Sequence, residues 1–179
     1  MSDLQQLYQT IILEHSKARN GAVDLTPLSD AVALGAASGL RVAESHQINT
    51  TCGDEVTLRV SLGAGASAET DGADSAGGAE TAASATVADL VWAGEGCSIS
   101  QASASILTDT LRGLSVTESR ALLDNFREML RSRGKIEPDE EILGDAAAFG
   151  GVSRYPARVK CAMLPWVAFE AALIEAESR

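Results

Sequence analysis

Three cysteines hold most of the chain's latent reactivity: Cys52 in "NTTCGDEV", Cys97 in "GEGCSIS" and Cys161 in "RVKCAM". As thiolates they can act as nucleophiles or metal ligands, and as buried thiols they are small inert hydrophobes. For Cys52 all three readings are open. Asp54 lies two residues beyond it, across a glycine that lets the chain turn sharply, so a carboxylate can reach the same ion. Cys97 follows a flexible Gly-Glu-Gly and opens an expected helix, where unpaired N–H groups and the macrodipole favour the thiolate. Cys161 lies four residues before Pro165, beside an expected helical irregularity. All three cysteines therefore fall at the ends or irregular points of elements, which makes Cys52, Asp54, Cys97 and Cys161 a candidate metal set. The cysteines are far apart and form no C-x-x-C pair. On position alone a buried free cysteine is an equally good reading of each, and a solvated turn acid a better one of Asp54. His15 continues a helical face and His46 lies on an expected strand, so both are read as structural.

The elements that must position these groups follow from periodicity. Leu4, Leu7, Tyr8, Ile11 and His15 recur at helical spacing over residues 3–19, between the start signal Ser2-x-x-Gln5 and the stop "RNG". Residues 22–39 show no clean period and are expected to be mostly loop. Residues 40–50 read as a strand, and Val56, Leu58, Val60 and Leu62 alternate with polar partners in a clearer one. Residues 63–84 hold only small, polar and acidic side chains, too little apolar surface to offset ordering entropy. We expect a disordered hairpin tip at about 63–85 that joins the second strand to a third, "ATVADLVWAGEG", and whose deletion costs little stability.

After "GEG" only helices are expected. One carries Ile99, Ala102, Ile106, Leu107 and Leu111 inward and stops at Gly113. Ser115-x-x-Glu118 is a capping box for the next, which turns Leu122, Leu123, Phe126, Met129 and Leu130 inward. A short piece spans "DEEILGDAAAF". The last helix has Pro156 in its first turn and Leu164, Phe169 and Leu173 in a stripe. Pro165 inside it clashes with the carbonyl of Cys161, so a kink or break is expected there. Trp92 and Trp166 are read as core, and Glu95 as solvating its loop.

Composition removes other functions. The 179 residues make one domain's worth of chain, with 45% hydrophobic but only 4% aromatic content. No apolar run approaches the length of a membrane span. A net charge of −11 repels phosphate backbones, so no nucleic-acid partner is expected. An odd cysteine count argues against a disulfide framework. The segment "MSDLQQLYQTIILEH" has neither a basic n-region nor a small-residue cleavage site, so the protein is expected to be cytoplasmic.

The assembled motifs resemble the SufU-type branch of the NifU/IscU-like iron–sulfur cluster assembly proteins over nearly the whole chain. "LYQTIILEHSKARNG" is similar to the family's opening helix, "TCGDEV" holds its Cys-Gly-Asp, and "GEGCSISQASASILT" and "GVSRYPARVKC" match its second and third cysteine motifs. The resemblance implies a single α+β domain over 1–179, with a three-stranded antiparallel sheet packed by about five helices. It also implies zinc held by Cys52, Asp54, Cys97 and Cys161. Where the IscU branch has a histidine before the last cysteine, this chain has Lys160, as in the SufU branch. Thr50 stands where proline is usual, Ser16 where tyrosine is common and Ala18 where proline is, and the 63–85 insert is far longer than the family's hairpin.

The function so implied is zinc-dependent sulfur transfer. A PLP-dependent cysteine desulfurase of the SufS type forms a persulfide, and Cys52 accepts its outer sulfur while the partner supplies a replacement ligand, usually a histidine. Such a protein stimulates the desulfurase rather than acting as a stand-alone enzyme, and hands on to other iron–sulfur assembly proteins. Arg158, three residues before Cys161, is expected to stabilise the site's anionic charge or hold Asp54 during the exchange; outside the motif it reads as a surface cation. The alternative is a scaffold on which a transient [2Fe–2S] cluster is built and passed on. A third reading is a structural zinc domain.

Overall fold

A computed structural model describes residues 3–65 and 85–179. From residue 66 to 84 the expected disordered hairpin tip lies outside the described residues. The order of elements is α1 (Asp3–Ala18), α2 (Leu28–Ala37), β1 (Arg41–Asn49), β2 (Asp54–Gly63), β3 (Thr86–Glu95), α3 (Ser98–Leu111), α4 (Val116–Arg131), α5 (Glu140–Leu143), a 3-10 segment Gly144–Arg154, and α6 (Pro156–Ser178). The fold is α+β, with an antiparallel sheet in the order β1-β2-β3 and six α-helices among the described residues.

The alternation along β2 does what a half-buried strand requires. Val56, Leu58, Val60 and Leu62 are all buried, against α6 on the inner face. The pairing Asn49↔Asp54 closes the β1–β2 hairpin. Arg59 points to the other face, yet it is only 7% exposed. Its guanidinium donates to the Glu44 carboxylate at 2.6 and 2.9 Å and to the Thr26 carbonyl at 2.6 Å, tying the chain before α2 to the sheet.

Residues 22–39 depart from the expected loop, because they include α2. Its residues are small and give little helical period, since the helix packs by close approach rather than by a stripe of large side chains. A Cβ on Gly35 would stand 2.4 Å from Val42 Cγ2, so only glycine lets α2 lie this close to β1.

Helix α3 is buried on nearly every side, between α1 and α6. The capping box of α4 forms as expected: the Ser115 hydroxyl accepts from the Glu118 N–H at 3.2 Å while the Glu118 carboxylate accepts from the Ser115 N–H at 2.9 Å. The expected short helix at "DEEILGDAAAF" is α5 followed by a longer 3-10 run. Of the kink or break expected at Pro165 the break does not occur, since α6 runs unbroken through it. An interior proline costs about 3 kcal/mol. Burial of Leu164, Trp166, Phe169 and Leu173, each worth about 1.5–3 kcal/mol, outweighs it. Phe126 stacks on Trp166, with ring centroids 4.3 Å apart, and locks α4 to the same helix. No helix among the described residues is long and apolar enough to cross a membrane.

Candidate metal centre

Cys52 sits in the turn between β1 and β2. The carbonyl of Asn49 accepts the N–H of Cys52 at 3.2 Å and of Gly53 at 2.8 Å, and Gly53 takes a φ of +79°, a conformation L side chains rarely adopt. That tight return makes Asp54 the first residue of β2 and leaves the Cys52 side chain exposed above it. Cys97 is the N-cap of α3, in extended geometry, and its side chain caps nothing. Cys161 lies in the second turn of α6 and is 6% exposed.

Three remote stretches of chain thus converge. Cys52 Sγ and Cys161 Sγ are 3.4 Å apart. The carboxylate of Asp54, itself buried, accepts the Cys97 backbone N–H at Oδ1 (2.9 Å), and its Oδ2 lies 3.3 Å from Cys97 Sγ. The ligand atoms of Cys52, Asp54 and Cys161 all lie within 4.8 Å of one another, so this group can hold a metal ion. Cys97 falls outside that tight triplet and joins it through Asp54.

The donor set fits zinc. Tetrahedral zinc with Zn–S bonds of about 2.3 Å and Zn–O bonds of about 2.0 Å spaces two sulfurs by about 3.8 Å and a sulfur and an oxygen by about 3.5 Å. The 3.4 and 3.3 Å separations here need only slight opening. The electrostatics are those of crowded acids. Burial acts to raise the pKa of Asp54, but hydrogen bonds from the Cys161 thiol, the Cys97 N–H and the other two thiols outweigh it and hold the carboxyl below its ordinary value. Burial first, then the neighbouring Asp54 and Cys52, pushes the Cys161 thiol up.

Arg158 makes no hydrogen bond to Asp54 among the described residues. It is exposed, and its guanidinium lies over the Tyr155 ring, 5.0 Å from the centroid; among the described residues it forms no ion pair with Asp54. The histidines are engaged elsewhere. His15 shares hydrogen bonds with Ser105 at 2.9 Å and Asp145 at 3.2 Å, and His46 with Thr57 at 2.7 Å. Trp92 and Trp166 are core, at 1% and 0% exposure.

Two contributors escape a reading by residue type. Gly96 has no side chain to draw attention, but a Cβ there would stand 2.8 Å from Asp54 Cγ and 2.9 Å from Oδ1, so the carboxylate can reach the Cys97 N–H only over a glycine. Its signal is its place immediately before Cys97. Asn49 donates its carboxamide N–H to Cys161 Sγ at 3.6 Å, within range for a sulfur acceptor, while its Oδ1 accepts the Thr51 N–H at 3.2 Å. Its signal is a polar residue at the buried end of a strand, three residues before Cys52.

Residues 80–162 match the model of the NifU-like N-terminal domain family. The chain is 33% identical over 177 residues to the zinc-dependent sulfurtransferase SufU of Bacillus subtilis, covering 98% of this chain and 95% of that one. It is 31% identical over 175 residues to the iron–sulfur cluster assembly scaffold protein IscU of Streptococcus pyogenes, covering 97% of this chain and 86% of that one. The structure of a nitrogen-fixing NifU-like protein (N-terminal) from Brucella abortus superposes with a TM-score of 0.67 at 21% identity, covering 99% of each chain, and shares the fold.

Proposed function

The chain belongs to the NifU/IscU/SufU family of iron–sulfur cluster assembly proteins, and on that premise we propose that it is a cytoplasmic zinc-dependent sulfur-transfer protein of the SufU kind. The observation that carries the reading is the contrast at the site: one exposed sulfur, Cys52, in contact with a buried one, Cys161, beside a buried carboxylate. A structural zinc site is closed, and four thiolates or imidazoles serve it better than a set with an aspartate. An exposed cysteine beside a carboxylate suits exchange.

Cys52, Asp54, Cys97 and Cys161 would hold the ion, and zinc bound there would keep the thiols deprotonated and shielded from oxidation. The protein's own groups do the rest. Cys52, the exposed thiol of the touching pair, would attack as thiolate the outer sulfur of a persulfide on a SufS-type cysteine desulfurase. The new S–S bond forms as the desulfurase cysteine departs as thiolate, and the outer sulfur stays on Cys52 with no net electron transfer. Asp54, fixed by the Cys97 N–H, keeps the remaining ligands in register. Arg158 reaches the site only by leaving Tyr155, so its role belongs to the partner-bound state. From Cys52 the sulfur passes to other iron–sulfur assembly proteins.

The second reading is a scaffold that carries a [2Fe–2S] cluster as cargo, and the comparable identity to the Streptococcus IscU favours it. Lys160, exposed before Cys161, offers no imidazole to a cluster and weighs towards sulfur transfer. Anaerobic purification and metal analysis separate the two: about one zinc per chain without visible charge-transfer absorbance supports the carrier, and stoichiometric iron and sulfide sink it. Cys52→Ala is expected to abolish stimulation of the cognate desulfurase. Full stimulation by that variant rules Cys52 out as acceptor.

A further inference from the structure

We propose that Asn49 is the positioning residue that makes the two touching sulfurs unequal, marking Cys161 as the sulfur to be kept and Cys52 as the one to be surrendered. The proposal rests on the metal-site reading above. Asn49 is 8% exposed and offers its two polar ends to the two sulfurs in opposite senses. Its carboxamide Nδ2–H donates to Cys161 Sγ at 3.6 Å. Its backbone carbonyl oxygen faces Cys52 Sγ at 3.9 Å, much as the Ala157 carbonyl faces Cys161 Sγ at 3.8 Å. A thiol tolerates both. For a thiolate the difference lies in the N–H, whose dipole stabilises negative charge on Cys161, while the carbonyl contacts of the two sulfurs offset one another.

The side chain cannot easily do otherwise. Its Oδ1 is committed to the Thr51 N–H at 3.2 Å, which aims the NH₂ end at α6. The carbonyl is committed to the Cys52 and Gly53 N–H groups of the turn, and the pairing with Asp54 fixes the residue at the end of β1. The device therefore sits where the strand ends and needs no movement to act. It also lies within the same turn that delivers Cys52 and Asp54, so a single short segment supplies the acceptor sulfur, the carboxylate and the bias between sulfurs.

Two near-isosteric variants test it. Asn49→Asp keeps the acceptor for Thr51 and removes the donor; Asn49→Leu removes both, so a variant that fails to fold leaves the other to decide. Zinc-loaded wild type and variants are treated with limiting iodoacetamide, and the modified cysteines are mapped by mass spectrometry. The wild type is expected to label first at Cys52. In the variants the Cys52-to-Cys161 labelling ratio is expected to fall about tenfold, the scale of one hydrogen bond to a charged group. The same proteins loaded with Co²⁺ provide a signature that loose packing alone does not give. Without the N–H donor, sulfur electrons are held less tightly, and the sulfur-to-cobalt charge-transfer band is expected to move to lower energy. An unchanged ratio with the band in place, while the wild type still favours Cys52, overturns the role of Asn49 and leaves the sulfur-acceptor reading standing. A wild type that labels Cys161 as fast as Cys52 overturns both.

Discussion

Replacing Gly96 by alanine tests whether Asp54 is held for metal binding by the mechanism the geometry implies. The new Cβ would lie 2.8 Å from Asp54 Cγ and 2.9 Å from Oδ1, and 2.5 Å from Ser100 Oγ. Ordinary contacts between carbon atoms are about 3.5–4.0 Å. The Ser100 hydroxyl can rotate aside, but the carboxylate must retreat by about 0.6 Å or more to reach such a contact. That lengthens its 2.9 Å bond from the Cys97 N–H to about 3.5 Å, beyond useful hydrogen-bond range. A hydrogen bond to a charged group is worth about 1.5–3 kcal/mol. At about 1.4 kcal/mol per decade, zinc affinity should fall about ten- to a hundredfold. Competition with a chromophoric chelator measures it, with Gly151→Ala as the control, because an added Cβ there meets nothing within 4 Å. If Gly96→Ala binds zinc within about twofold of wild type, the preorganisation of Asp54 by Cys97 contributes nothing on the scale of such a hydrogen bond, and the reasoning fails.

Three further outcomes concern the frame that delivers the site. Arg59→Ala strands the Glu44 carboxylate and frees the Thr26 carbonyl on the outer face of the sheet, and should cost about 3 kcal/mol in urea unfolding. Ser103→Ala removes the hydroxyl that accepts from Trp166 Nε1 at 3.0 Å and donates to the Ala162 carbonyl at 2.6 Å, leaving a buried indole N–H unpaired; chemical denaturation should show a loss of about 1–3 kcal/mol. The Ser115 hydroxyl, then its N–H, holds the Glu118 carboxyl below its ordinary value. A depressed folded-state pKa means that this stabilisation is present above the unfolded value of about 4.3 and is lost as pH falls through the folded one. The stability difference between wild type and Glu118→Gln should therefore shrink from pH about 6 to pH about 3.

How far the fold can be read from the chain depends on how each element is held. Helices α3 and α4 and strand β2 bury large side chains at regular spacing, so their period is visible in the residues themselves. Helix α2 is held by the absence of a side chain at Gly35 against Val42, and an absence leaves no period. Pro165 misleads for the opposite reason. Its local cost is legible, whereas the burial of Trp166 and Phe169 that outweighs it depends on β2, α3 and α4, which are remote in sequence.

The site divides along the same line. Thiols and a carboxylate announce themselves by type, and Cys-Gly-Asp announces a turn, so the candidate ligands were legible before any geometry. Their inequality was not. As letters, Cys52, Cys97 and Cys161 are the same residue, and only the fold makes the first exposed in a turn, the second exposed at the start of a helix and the third buried under an asparagine N–H. Arg158 shows the limit from the other side: its place three residues before Cys161 suggests a role towards the site's charge or Asp54 during exchange, and in the unbound chain its guanidinium lies over Tyr155. On the sulfur-transfer reading proposed above, this asymmetry matters as much as the ligands themselves. Three equivalent thiolates would leave no sulfur marked for release, and neither Asn49, which breaks the equivalence, nor Gly96, which seats Asp54, carries a reactive group of its own.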